Sequence, residues 1–225
     1  MSGQRLFLVI LGIIAAAGVA WLLSRTAFAP SLPVTAVQGT RDTTWFQGYA
    51  LGSADAPVEV VEYGDYQCPA CANWDQVQFP TVTRQLIDTG KLRFRYRDFP
   101  LSMHAHSRLA AHAAACADDQ GKYWPMHEAL YRSQSSWAFD SERGAYGQFG
   151  DMVARLGGDR GAWEGCMEAG SHAARIEASY EDGVSLGIGT TPTMLLDNKL
   201  YPGGWSSDSL ASIVNAMIAE RGATP

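Results

Sequence analysis

The chain has no block of lysine or arginine, and its 17 basic residues are outnumbered by 23 acidic ones, giving a net charge of −6 and a pI near 5.3. That balance excludes the basic footprint of a nucleic-acid-binding surface. It also lacks internal repeats and low-complexity tracts, so 225 residues bound one elaborated globular domain with an extra segment at one end. Cysteine is scarce, at four residues, and no second CxxC or HxxxH accompanies the single CxxC. A structural zinc site is therefore short of ligands, and no metal is expected. His104, His106, His112, His127 and His172 form no compact ligand pattern, and helix faces and surface turns account for them. Tyr66, Trp74, Trp124 and Trp205 read as core or groove aromatics, not as a cofactor box.

What is present centres on Cys68-Pro69-Ala70-Cys71. Val58 to Tyr63 is β-branched and apolar, the pattern of a buried strand, and residues 64–67 form a turn leading into Cys68. A helix starting at Cys68 and running to about Gly90 aims free backbone N–H groups and a positive dipole end at the first sulfur. Pro69 suits the first helical turn, where its missing N–H has no intrahelical partner. Cys68 is thus expected as the exposed, low-pKa nucleophile and Cys71, one turn deeper, as the resolving thiol. The competing reading, a purely structural disulfide, closes too short a loop to remove much unfolded-state entropy.

Leu6 to Leu23 is an unbroken run of 18 uncharged, almost wholly apolar residues between Arg5 and Arg25. It reads as an export or membrane segment, near the lower limit for spanning and longer than a usual signal-peptide core. Ala27-Phe28-Ala29 has the form of a cleavage site, but Pro30 follows the candidate cut, and an uncleaved anchor is the preferred expectation. Residues 1–5 then lie in the cytoplasm and the domain outside, with 24–43 as a linker. In an oxidising compartment four cysteines suggest two disulfides. The CxxC spacing selects Cys68 with Cys71 and leaves Cys116 with Cys166, a staple, against the alternative that both are buried free thiols.

A second strand is expected at Leu92 to Phe99, where apolar and basic residues alternate, paired beside the first. Residues 104–187 read as an inserted helical block. Strand character returns at Thr193 to Leu196, a short turn at Asp197-Asn198 makes a hairpin with Lys199 to Tyr201, and a last helix runs from Ser207 to Arg221. Glu62 lies six residues before Cys68, an even count that turns it toward the CxxC helix if the pleat is regular. The bland alternative is a surface glutamate.

The order of strand, CxxC helix, strand, helical insert, hairpin and helix resembles the DsbA-like oxidoreductases of the thioredoxin superfamily. Asp55-Ala56-Pro57-Val58, Glu62 through Cys71, Asp98-Phe99-Pro100-Leu101, Asp119 through Trp124 and Gly189 through Thr193 carry the likeness, in order. It implies an α/β thioredoxin fold over 44–103 and 188–225 with 104–187 inserted. It also implies a cis bond at Thr191-Pro192, a position that meets substrate backbone, and a buried acid at Glu62 that relays a proton to Cys71. The activity implied is disulfide donation to reduced exported proteins in the periplasm or its extracytoplasmic equivalent. Reoxidation would come from a membrane quinone-linked thiol oxidase of the DsbB or vitamin K epoxide reductase-like type, with no cofactor beyond the dithiol itself. Ala70 departs from the histidine found between the cysteines of well-known DsbA proteins, which leaves open a reductase or isomerase kept reduced by a membrane electron donor. A non-catalytic chaperone with a thioredoxin-like groove is the alternative from a different class.

Overall fold

The computed structural model describes residues 12–18, 35–36 and 46–222. It divides into two units, Met1–Pro33 and Val34–Pro225. In the first, residues 12–18 are helical, and the remainder of the expected anchor over 6–23 lies outside the described residues. Among the described residues no helix is long and apolar enough to cross a membrane.

The second unit is built on a six-stranded sheet. Its strands are β1 (Thr35–Ala36), β2 (Tyr49–Leu51), β3 (Val58–Gly64), β4 (Leu92–Asp98), β5 (Thr193–Leu196) and β6 (Lys199–Pro202). Their spatial order is β1-β6-β5-β3-β4-β2. Only β3 and β4 run parallel, with Val58 opposite Leu92 and Glu62 opposite Tyr96. The segment expected to be a free linker over 24–43 thus contributes an edge strand, since Thr35 pairs with Leu200 and Ala36 with Lys199. The β5–β6 hairpin turns on Asp197 and Asn198, both at positive φ, which Asp and Asn tolerate better than most residues.

The helices are α1 (Pro69–Val77), α2 (Phe79–Val82), α3 (Ser107–Asp118), α4 (Tyr123–Arg132), α5 (Gln134–Trp137), α6 (Glu142–Arg155), α7 (Arg160–Glu168), α8 (Ala173–Ser185) and α9 (Ser207–Arg221). The helix expected from Cys68 to Gly90 is broken. It stops at Val77, restarts as α2 with Pro80 in its first turn, and continues as a π turn over Thr83–Ile87. Pro80 has no N–H to give the preceding turn, so the ladder cannot run through it.

Period-two geometry sends alternate residues of β3 to two cores. Val58 and Val60 face one core with Phe94, Tyr96, Met194, Trp74, Leu210 and Val214. Val61 and Tyr63 face the other, with Phe99, Ile188, Leu195 and Leu200. The first core runs without a break into α3, α4, α6 and α7. The expected inserted block over 104–187 therefore shares its core with the sheet and belongs to the same compact unit.

The alternation along β4 does not divide it into a buried and an exposed face. Its basic face is covered: Arg95 donates to both Glu59 carboxylate oxygens, at 3.1 and 2.7 Å, and Arg97 pairs with Asp182 at 3.1 Å. A strand flanked on both edges and packed on both faces buries its polar side, and here acidic partners compensate the charge.

Candidate active site

Three elements converge on the CxxC. Cys68 is the N-cap of α1, with Pro69 in the first turn, and a turn closed by its own N–H on the Asp65 carbonyl (3.0 Å) delivers it there. The Asp65 carboxylate fixes that turn: it accepts from the Gln67 N–H (2.8 Å), the Leu101 N–H (2.9 Å) and the Ser107 hydroxyl, and pairs with His104 Nδ1 at 2.7 Å. From the insert, the Gln134 amide donates to the Tyr66 and Cys68 carbonyls at 2.7 and 2.9 Å, the latter also accepting from the Ala72 N–H at 3.1 Å as the first bond of α1.

The third element is the loop before β5. The Thr191-Pro192 bond is cis, and the Pro192 carbonyl accepts from the Gly203 N–H at 2.8 Å. Gly204 follows at positive φ, where a Cβ would lie 2.8 Å from Trp74 and 3.4 Å from Pro192, so only glycine lets the two loops close on α1.

Cys68 and Cys71 are both unpaired thiols. Cys68, expected to be exposed, is only 7% exposed. Its Sγ donates to the Thr191 carbonyl at 3.4 Å. The Cys71 thiol, next the Thr191 side chain, and the backbone N–H groups of Cys71 and Ala70 lower its pKa from 9.0 to about 5, against the opposing effect of burial. The Thr191 hydroxyl is buried and has no hydrogen-bond partner. Once Cys68 ionises its sulfur can only accept, so the donor from this residue is that hydroxyl. Cys71 is fully buried, and burial, the Cys68 interaction and the Glu62 charge push its thiol well up. One turn of helix thus separates a thiol that ionises readily from one that holds its proton.

Glu62 is 2% exposed. Burial first, then the charges of Asp75 and Cys68, push its carboxyl well up. Two further groups join this cluster: Asp75, assigned no role from the sequence, and His127, expected on a helix face or surface turn but only 2% exposed. Asp75 stands four residues after Cys71 on the same face of α1, a spacing that offered a signal. Its Oδ1 lies 3.2 Å from His127 Nε2. His127 comes from α4, and no local pattern tied it to the CxxC. Cys116 and Cys166 are joined in a disulfide between α3 and α7. The two groups with metal-ligand spacing among the described residues, His112 with Cys116 and Cys166, and Asp119 with Cys166 and His172, both draw on that bonded pair.

An activated thiol at a helix N-terminus, a buried partner one turn on and a cis-proline turn whose Thr191 carbonyl meets the first sulfur are an arrangement suited to dithiol–disulfide exchange. The family model described as Thioredoxin matches residues 46–216. The chain belongs to the thioredoxin family, and it is similar to DsbA-like members of it. The Na(+)/H(+) antiporter NhaA 1 of Salinispora arenicola is 31% identical over 173 residues, 76% of this chain but 25% of that protein. Disulfide bond formation protein D of Bacillus subtilis is 28% identical over 158 residues, 67% of this chain and 68% of that one. The oxidised crystal structure of BdbD from Bacillus subtilis superposes with a TM-score of 0.70 at 26% identity, covering 82% of this chain and 98% of that one. The chain thus spans about a quarter of the first relative's length and about two thirds of the second's.

Proposed function

We propose that the protein is an exported disulfide oxidase that donates the Cys68–Cys71 disulfide to folding extracytoplasmic proteins. The observation that carries this reading is the split between the two thiols, Cys68 lowered to about 5 and Cys71 raised. A substrate thiolate attacks Cys68 Sγ, the Cys68–Cys71 bond breaks, and Cys71 leaves as a thiolate that takes a proton from Glu62. A second substrate thiolate then attacks the substrate sulfur of the mixed disulfide and expels Cys68, which leaves readily because it is stable as a thiolate. Electrons balance: two substrate thiols are oxidised to one disulfide, and the enzyme disulfide is reduced to a dithiol.

The cis Thr191-Pro192 turn offers its backbone beside Cys68 for an extended substrate segment. The dithiol needs no metal, flavin or nucleotide to do this. The electrons pass on to a membrane quinone-linked thiol oxidase of the DsbB or vitamin K epoxide reductase-like type, and residues 6–23 hold the domain at the outer face of the cytoplasmic or inner membrane.

Refolding of reduced ribonuclease tests the activity: Cys68→Ser abolishes it, and undiminished refolding by that variant overturns the proposal. Alkylation trapping in cells fixes the direction. A Cys68 found mostly as disulfide agrees with an oxidase, and one found mostly as thiol means a reductase or isomerase.

A further inference from the structure

The exchange cycle moves a proton onto Cys71 and off it again, yet Cys71 and Glu62 are both sealed from water. Cys68 does not need one, because it leaves and attacks as a thiolate. The cycle proposed above therefore requires a route by which the Glu62–Cys71 pair exchanges its proton with solvent, and it needs that route even when substrate covers Cys68.

The far side of α1 holds such a route. Cys71 and Asp75 share one face, a turn apart, and after burial the charge of Asp75 also raises the Glu62 carboxyl. Asp75 Oδ1 meets His127 Nε2 at 3.2 Å, and His127 Nδ1 meets the Tyr66 hydroxyl at 2.9 Å, which in turn meets the Tyr123 hydroxyl at 2.9 Å. Asp75 and His127 both line an open cleft of about 710 Å³, walled by Phe79, Pro80, Trp124 and Pro125, with Glu128 and Arg132 at its edge. None of Cys68, Thr191 or Pro192 lines it.

We propose that Asp75 and His127 form the proton route between the buried Glu62–Cys71 pair and solvent in this cleft, separate from the surface where substrate is bound. The tautomer chemistry suits the task. With its proton on Nε2, His127 donates toward Asp75 and accepts the Tyr66 hydroxyl at Nδ1. A proton arriving from the cleft side or leaving to it is accommodated by reversing the Tyr66 and Tyr123 hydroxyls.

The groups facing His127 from the surrounding elements are Asp75 on α1, Tyr66 before it, Tyr96 on β4, and Tyr123 and Tyr131 on its own helix. Burial pushes all four phenols up, so none holds a charge; only Tyr66 and, behind it, Tyr123 are hydrogen-bonded to His127, while the Tyr96 and Tyr131 hydroxyls bond each other. In balance, Glu62 gives its proton to the departing Cys71 thiolate, forming S–H. Glu62 is reprotonated through Asp75 and His127 at the expense of water or buffer in the cleft. Reoxidation runs the same path backward. Neither Asp75 nor His127 touches substrate, and both act through Glu62.

The test follows the full-length reduced protein reacting with oxidised glutathione in stopped flow. The first phase is attack by Cys68, and the second is attack by Cys71 on the mixed disulfide, which requires loss of the Cys71 proton. In His127→Ala the first phase stays at the wild-type rate and the second slows on the order of tenfold. Free imidazole, which the cleft admits, restores the second phase in proportion to its concentration as neutral base. His127→Gln and Asp75→Asn, which keep polar shape but cannot carry the proton, slow the same phase and change its pH profile, and they serve if the alanine variant does not fold. A second phase at the wild-type rate in these variants overturns the route. A slowed phase that imidazole does not relieve, with an unchanged pH profile, assigns His127 to packing and overturns it equally. If wild-type protein forms no mixed disulfide at Cys68, the exchange reading itself has failed, a result distinct from either.

Discussion

At the scale of single residues, the chemistry rests on how Cys68 is ionised without a charged neighbour in the motif. Ala70 supplies no side-chain donor, so the work falls to the Cys71 thiol, to Thr191 and to two backbone N–H groups at the start of α1. Lowering the Cys68 pKa stabilises the reduced protein and leaves the disulfide form unaffected, so it makes the disulfide more oxidising. The sign with pH follows. A folded-state pKa of about 5 lies below the unfolded value, so this stabilisation of the reduced form is complete above the unfolded thiol pKa and is lost as pH falls through about 5. Reduced minus oxidised stability, measured by urea unfolding across that range, is expected to rise with pH. Ala70→His adds a donor at the helix start and is expected to make the protein more oxidising in glutathione equilibration. Thr191→Val removes the hydroxyl and is expected to move the thiolate absorbance titration upward. An unchanged or lower redox potential in the histidine variant would sink this account of the sulfur.

Among the elements, the CxxC helix and its strand were readable from the chain because each depends on local rules. Parity along β3 placed Glu62 with Val58 and Val60, and the pleat is regular enough for that to hold. The break at Pro80 was also written locally, in a proline too far inside the expected helix to be carried by it. Burial of Arg95 and Arg97 was not readable, because it depends on acids at Glu59 and Asp182 brought in by strand register and by α8. His127 was invisible for the same reason: its partner Asp75 lies 52 positions earlier on another helix. The Cys116–Cys166 bond joins α3 to α7 across a separation of 50 residues, wholly within the insert. Replacing both cysteines by alanine is expected to cost about 4 kcal/mol in urea unfolding, on the chain-entropy model. The Cys68 titration should stay near 5, since neither sulfur reaches that site. A shifted titration would mean that the insert's staple tunes the active site.

On the scale of the whole molecule, one core joins sheet and insert, so the cis-proline loop, Gln134 and Cys68 all belong to one compact unit, Val34–Pro225. Gln134 illustrates the consequence: it grips the Cys68 carbonyl from the insert, and loosening the insert would loosen the nucleophile. The unit Met1–Pro33 follows different rules. In its helical stretch over 12–18, Ile13 and Ile14 are 64% and 63% exposed, which is compatible with the tether proposed above. The lipid environment proposed for the segment rests on the uncharged run over 6–23 of the sequence. The full chain is therefore expected to stay with the membrane fraction through an alkaline carbonate wash. Ile13→Lys with Ile14→Lys should abolish this, because each lysine adds about 2.5 to 3.5 kcal/mol to insertion at the centre of a span. Wild-type protein recovered in the wash with Pro30 as its first residue would instead establish removal at Ala29.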